Sequence, residues 1–186
     1  MSLLTIHPEN QPDQAQVITE PAGIAAALST IGVAFERWTA DRELPADADQ
    51  AAILAVYNGS IERLKTSHGF RSADVISVAP DHPQKAELRR KFLCEHTHSE
   101  FEVRFFVAGQ GLFYLHPDER VFLVLCERGD LISVPAGVKH WFDMGANPHL
   151  KCIRLFTTPD GWVADYTGDT IADRFPTLDD YRARYA

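Results

Sequence analysis

From Phe92 to about Thr158 the chain runs through short apolar segments with no helical repeat between them: KFLCEHTHS, EVRFFVAG, GLFYLHP, RVFLVLCE, DLISVPA, KHWFDM and LKCIRLFTT. Gly109, Gly111, Pro117, Asp118, Gly129, Pro135, Gly137, Gly145, Asn147 and Pro148 punctuate them, and these are residues that reverse a chain tightly. Strands at this spacing, joined by turns alone, predict an antiparallel β-barrel or jelly roll, which satisfies its edges by closing on itself. A barrel of this kind can hold a site in its mouth.

Ahead of Lys91 the pattern changes. EPAGIAAALST follows a candidate Thr19 cap and carries Pro21 in its first turn, and DADQAAILAVYNGSIERLKTSHG ends at Gly69, so both are expected as helices. VAFERW and DVISVAP read as short strands and PQKAELRRKF as a further short helix. The expected organisation is one domain over 1–186. Residues 1–91 form a flank of helices and edge strands, 92–158 the barrel core, and 159–186 a C-terminal loop and solvated tail. At 186 residues the chain is long enough to bury a core without disulfide staples.

A formal charge of −8 argues against nucleic acid or an anionic membrane surface as a partner, since both demand a positive field. The three cysteines, Cys94, Cys126 and Cys152, include no C-x-x-C pair, which fits a reducing compartment. The N-terminus lacks a basic segment followed by an apolar core, and no apolar run reaches the ~18 residues of a membrane span, so a cytoplasmic location is expected.

Within the barrel region, His96 and His98 stand two apart, which on a strand places both imidazoles on one face, roughly 6.6 Å apart along the chain. Glu102 offers an oxygen and His140, just past a Pro-Ala-Gly turn, a further nitrogen. Imidazole with carboxylate suits iron, nickel, manganese, copper or zinc, whereas calcium wants more oxygens and a structural zinc site wants thiolates.

The spacing of H-x-H, Glu and Gly, followed by Gly, Pro-x-Gly and His from Gly129 to His140, resembles the two-part cupin signature. Arg90 and Met144 stand where that pattern has a glycine and an asparagine, and neither position carries a ligand. KFLCEHTHSEFEVRFFVAGQGLFYLH, GDLISVPAGVKHWFDMG, IRLFTTPDGWVADYTGD and IADRFP, in this order, resemble one cupin family, the acireductone dioxygenases. Phe101 occupies a position that is acidic in the family's usual run, beside the Glu102 ligand.

The resemblance implies a mainly β cupin fold with flanking helices, and a monomer with one iron(II) or nickel(II) per chain held by His96, His98, Glu102 and His140. It implies cleavage of a methylthio-bearing enediol, 1,2-dihydroxy-3-keto-5-methylthiopentene, by molecular oxygen in methionine salvage. The expected products are formate and 2-keto-4-methylthiobutyrate with iron, and carbon monoxide, formate and 3-(methylthio)propanoate with nickel.

Arg104 shares strand parity with Glu102 and is expected to neutralise the bound enediolate, with Arg154 as a second substrate contact. Phe92, Phe142 and Trp162 are expected to wall the methylthio tail. The motif pattern by itself leaves open another metal-dependent cupin enzyme, or a cupin that binds a small ligand without turnover.

Overall fold

The computed structural model describes residues 1–40, 44–45, 48–158 and 163–185. Along the chain lie β1 (Leu3–Pro8), β2 (Gln16–Ile18), α1 (Pro21–Ser29), β3 (Ala34–Arg37), α2 (Gln50–Val56), α3 (Asn58–His68), β4 (Ser72–Val78) and α4 (Lys85–Phe92). Then come β5 (His96–Thr97), β6 (Glu102–Leu115), β7 (Arg120–Glu127), β8 (Asp130–Val134), β9 (His140–Asp143), β10 (Leu150–Phe156), β11 (Asp165–Tyr166) and α5 (Leu178–Tyr185). Every strand pairing is antiparallel. Among the described residues no helix is long and apolar enough to cross a membrane.

β6 organises the fold because it belongs to two sheets. Its first half, from Glu102 to Gly109, pairs with β8 and β10, and its second half, from Gln110 to Leu115, pairs with β7 and β9. One layer therefore runs β4-β10-β6-β8-β3 and the other β11-β5-β9-β6-β7-β1-β2. The glycines at the change-over have a steric purpose. Gly109 has φ of +73°, and a Cβ there would lie 1.4 Å from the His149 carbonyl oxygen; a Cβ on Gly111 would lie 2.1 Å from the Phe142 ring.

The two layers enclose a core of alternate strand residues, among them Phe106, Phe113, Phe122, Ile132, Phe142 and Cys152, with Ile24 and Leu28 of α1 packed in. The outward residues are buried too. α2 and α3 cover Val103, Phe105, Leu131 and Ile153 with Ile53, Tyr57, Ile61 and Leu64. Ile171, Phe175, Leu178 and Tyr181 cover Leu112, Tyr114, Leu125 and Trp141. With both faces covered, β6 and β7 read as continuous apolar runs rather than alternating ones.

The jelly-roll-like architecture with flanking helices agrees with the sequence-based expectation, and several details correct it. EVRFFVAG and GLFYLHP are one strand. KFLCEHTHS is mostly not strand, because α4 runs through Phe92 and only His96–Thr97 pair. The first 91 residues contribute more than a flank, since β1 lies inside a layer between β7 and β2. α1 is preceded by Glu20 and has no side-chain cap, whereas Asp49 caps α2 by accepting from Ala52 N at 2.8 Å. The long second helix divides at Tyr57, and Gly69, with φ of 75°, ends α3 in the left-handed conformation that glycine adopts without strain. The C-terminal segment is helical, but it is docked rather than solvated, for Tyr181 is wholly buried.

Candidate metal centre

Four side chains converge between the two layers at one end of the core. β6 begins with Glu102 and turns Glu102, Arg104 and Phe106 to the interior, as its period of two requires. β9 begins with His140, which is the ladder partner of His96 on β5. That pairing sets the two imidazole centroids 4.4 Å apart, and His98, one residue beyond β5, lies 5.0 Å from His96 and 5.2 Å from His140.

The hydrogen bonds fix which nitrogen of each ring is free. Nδ1 of His96 donates to Cys94 O at 2.7 Å, that of His98 to Val163 O at 2.8 Å, and that of His140 to Val138 O at 2.8 Å. A carbonyl only accepts, so each Nδ1 carries the proton and each Nε2 presents a lone pair. The candidate ligand atoms of the three histidines lie within 4.8 Å of one another. Glu102 Oε2 lies 2.7 Å from His140 Nε2 and 3.8 Å from His98 Nε2, and among the described residues neither Glu102 Oε2 nor His140 Nε2 has a hydrogen-bond partner. Two buried acceptors facing each other unpaired are costly unless something electropositive sits between them.

Electrostatics hold the groups in their ligating forms. Burial, aided by the neighbouring His140, lowers the His96 pKa to about 4, and burial likewise lowers that of His98. Burial alone would raise the Glu102 carboxyl, but the Arg104 guanidinium beside it more than offsets this and holds the group well below the usual range. Neutral imidazoles and an ionised carboxylate are the forms a transition ion binds. The donor set therefore fits one divalent ion at His96, His98, His140 and Glu102.

Arg104 lies behind this cluster. Its Nε donates to Glu102 Oε1 at 2.6 Å and its Nη2 contacts the same oxygen at 2.5 Å. Its guanidinium carbon stacks over the rings of Phe142, Phe113 and Phe92 at 4.6, 5.2 and 5.7 Å, and Nη1 is buried without a hydrogen-bond partner among the described residues. A cleft of about 720 Å³ opens onto the cluster, lined by His96, His98, Glu102 and Arg104 and also by Asp74, Ile76, Leu88, Phe92, Arg154 and Phe156.

The expected site residues fall into three groups. His96, His98, Glu102, His140 and Arg104 come together, and Phe92 lines the cleft beside them. Arg154 also lines the cleft, but both oxygens of Asp74 engage it, Nε to Oδ1 at 2.8 Å and Nη2 to Oδ2 at 2.6 Å. Phe142 lies a layer deeper, 1% exposed, and supports Arg104 and Phe113 instead of facing the cleft. Trp162 lies outside the described residues.

Some residues around the site escaped the sequence reading. Asp74 and Ile76 alternate on β4, as Arg154 and Phe156 do on β10, so parity could have flagged them once those strands were paired. His116 is buried and joins Glu95 through Nδ1 at 2.5 Å; Glu95 in turn accepts from Thr167 Oγ1 at 2.6 Å. Those bonds tie down the segment whose Val163 carbonyl orients His98. Glu100 accepts from the Thr157 hydroxyl, and Phe101 is 47% exposed.

Comparison with known proteins gives a consistent set of relatives. The family model described as the ARD/ARD' family matches residues 3–164. The chain is 66% identical to an acireductone dioxygenase of Methylococcus capsulatus (strain Bath) over the whole of both chains. It is 58% identical to that of Pseudomonas aeruginosa, over 97% of this chain and 100% of the relative. The Aquifex aeolicus relative of the same name is 54% identical, over 97% of this chain and 98% of that one. A solved acireductone dioxygenase from Bacillus anthracis, with a cadmium ion in its active centre, superposes with a TM-score of 0.78 at 33% identity, covering 89% of this chain and 98% of that chain.

Proposed function

The chain belongs to the ARD/ARD' family, and on that premise we propose that it is a metal-dependent acireductone dioxygenase of methionine salvage. Its substrates are then 1,2-dihydroxy-3-keto-5-methylthiopentene and molecular oxygen. The observation that carries this reading is the convergence of three imidazoles, each with Nδ1 committed to a backbone carbonyl, on an ionised glutamate whose free oxygen faces them.

His96, His98, Glu102 and His140 would hold one iron(II) or nickel(II). When bound, such an ion supplies a Lewis-acid template that favours the deprotonated enediol and orients it. The protein does the rest. The three backbone carbonyls fix ring tautomer and orientation, which keeps each Nε2 available. Arg104 lines the cleft as well as pairing with Glu102 Oε1, so its guanidinium is placed to offset the charge of an enediolate bound there. Phe92 and the apolar wall of Ile76, Leu88 and Phe156 exclude water from the far end and suit the methylthio tail.

Arg154 is a weaker substrate contact than its position suggests, because Asp74 already holds it. The proposed products are formate and 2-keto-4-methylthiobutyrate with iron loaded, and carbon monoxide, formate and 3-(methylthio)propanoate with nickel. Family likeness supports a monomer, and the three free cysteines are in keeping with a cytoplasmic protein.

Oxygen uptake tests the assignment. Iron-loaded or nickel-loaded protein mixed anaerobically with the enediol and then exposed to oxygen should consume it far faster than an enzyme-free control, with the products of the loaded metal. Uptake no faster than that control with either metal overturns the proposal.

A further inference from the structure

A single charged row crosses the sheet beneath the cleft. In the ladder, Arg154 on β10 stands opposite Asp74 on β4 on one side and opposite Arg104 on β6 on the other. Two arginines directly opposite repel each other, and the row is tolerable because each has a carboxylate beside it: Glu102 for Arg104 and Asp74 for Arg154. The Asp74 contact is bidentate, and the Arg154 guanidinium carbon also lies 5.2 Å from the centre of the Phe156 ring. The guanidinium is thus fixed in place with its charge offset.

Three cations line the cleft among the described residues: Lys91, Arg104 and Arg154. Lys91, at the rim, pairs with Glu87 Oε1 at 2.9 Å, and Arg154 pairs with Asp74. Arg104 at the metal end alone keeps a buried nitrogen without a partner. The Arg104 side of the cleft therefore favours negative charge, and the part lined by the paired Arg154 and the apolar Ile76, Leu88 and Phe156 does not.

Resting on the dioxygenase assignment above, we propose that Asp74 is a specificity-determining residue: by neutralising Arg154 it restricts the cleft to enediols with uncharged tails and rejects those whose tails carry a carboxylate or phosphate. Nearly every small metabolite with an acidic enediol head could chelate the ion, so selection has to come from the tail. Without Asp74 the released guanidinium would attract an anionic tail. Without Arg154 the released carboxylate would repel one further.

Two enediols of equal length test this, one ending in methylthio and the other in a carboxylate. Turnover of each is measured in metal-loaded protein, and equilibrium binding of each is measured without oxygen. Wild-type protein should strongly prefer the methylthio compound in both measurements. Asp74→Asn should shift the carboxylate-to-methylthio ratio of kcat/KM up by about fivefold, the scale of one partly exposed charge contact. Arg154→Met should shift it down, and the double variant should fall near wild type.

Equal handling of both tails by wild-type protein overturns the inference, and that measurement requires no variant to fold. So does an unchanged ratio in Asp74→Asn, or a gain that persists in the double variant. Failure to turn over the methylthio enediol at all would instead count against the dioxygenase assignment, so the two failures are distinguishable.

Discussion

Arg89, on α4, holds both oxygens of Asp143 at the end of β9, Nε to Oδ1 at 2.7 Å and Nη2 to Oδ2 at 2.8 Å. The carboxylate is wholly buried and also accepts from the backbone N–H groups of Gly145 and Leu178. One side chain thereby joins the helix that carries Phe92 and Leu88, the strand that begins with the candidate ligand His140, and the start of α5. Replacing Arg89 with Met leaves a buried carboxylate with two donors in place of four. Urea unfolding should show a loss of about 2–3 kcal/mol, in line with a buried ion pair broken on one side. A loss below about 0.5 kcal/mol would mean that the contact is incidental.

The same residue sets an acid limit. Burial by itself would raise the Asp143 pKa, but Arg89 and the two backbone donors lower it overall. A carboxyl whose folded pKa is depressed contributes stability that is complete above its unfolded value, near about 3.9, and is lost as pH falls through the folded value. Asp143→Asn should be less stable than wild type at neutral pH, and the gap should narrow below about pH 4. A gap that stays constant from pH 7 to pH 3 would show that the charge of Asp143 contributes nothing.

Metal binding should depend on each imidazole. His98→Ala and His140→Ala should each lower bound metal sharply in elemental analysis, since each removes a nitrogen that the backbone has already oriented. Chelation of the ion from wild-type protein should lower Tm, because a ligand that binds only the folded state adds about 2.7 kcal/mol at a free concentration a hundredfold above Kd. Full occupancy in both variants, or a Tm indifferent to chelator, would place the ion elsewhere.

Arg104 separates an enzyme from a passive binder. Arg104→Met should lower kcat/KM for the methylthio enediol by about 10²-fold, the effect of removing one donor aimed at developing negative charge. It should also loosen Glu102 and so weaken metal retention; the comparison is therefore made at saturating metal. Loss of affinity with kcat intact would indicate that Arg104 only binds.

The candidate ligands were legible because their chemistry is local: His96, Glu102 and His140 each open a strand, and His98 follows the first of these by two residues. The helix stop at Gly69 was also clear, because a left-handed cap uses a single residue. What sequence patterns hid was long-range. Gly109 and Gly111 look like a turn, yet they let one strand pass from one sheet to the other beneath His149 and Phe142. Asp74 meets Arg154 across eighty residues of chain, a pairing that only strand register reveals. α5 did carry a signal, Leu178 and Tyr181 at helical spacing, but the charges between them made the segment read as solvated.

The shared strand makes the four anchors unequal. Glu102 opens β6, whose backbone is locked into both layers, and His140 opens β9, which pairs with that same strand. His98 lies just outside β5, its ring held by the carbonyl of Val163. Amide exchange should therefore be slowest along residues 102–115 and faster around 98–101, because protection follows ladder depth. A divalent ion held there would rest against a fixed jaw of Glu102 and His140 and a yielding one at His98, so strand pairing would decide which donors stay rigid around it.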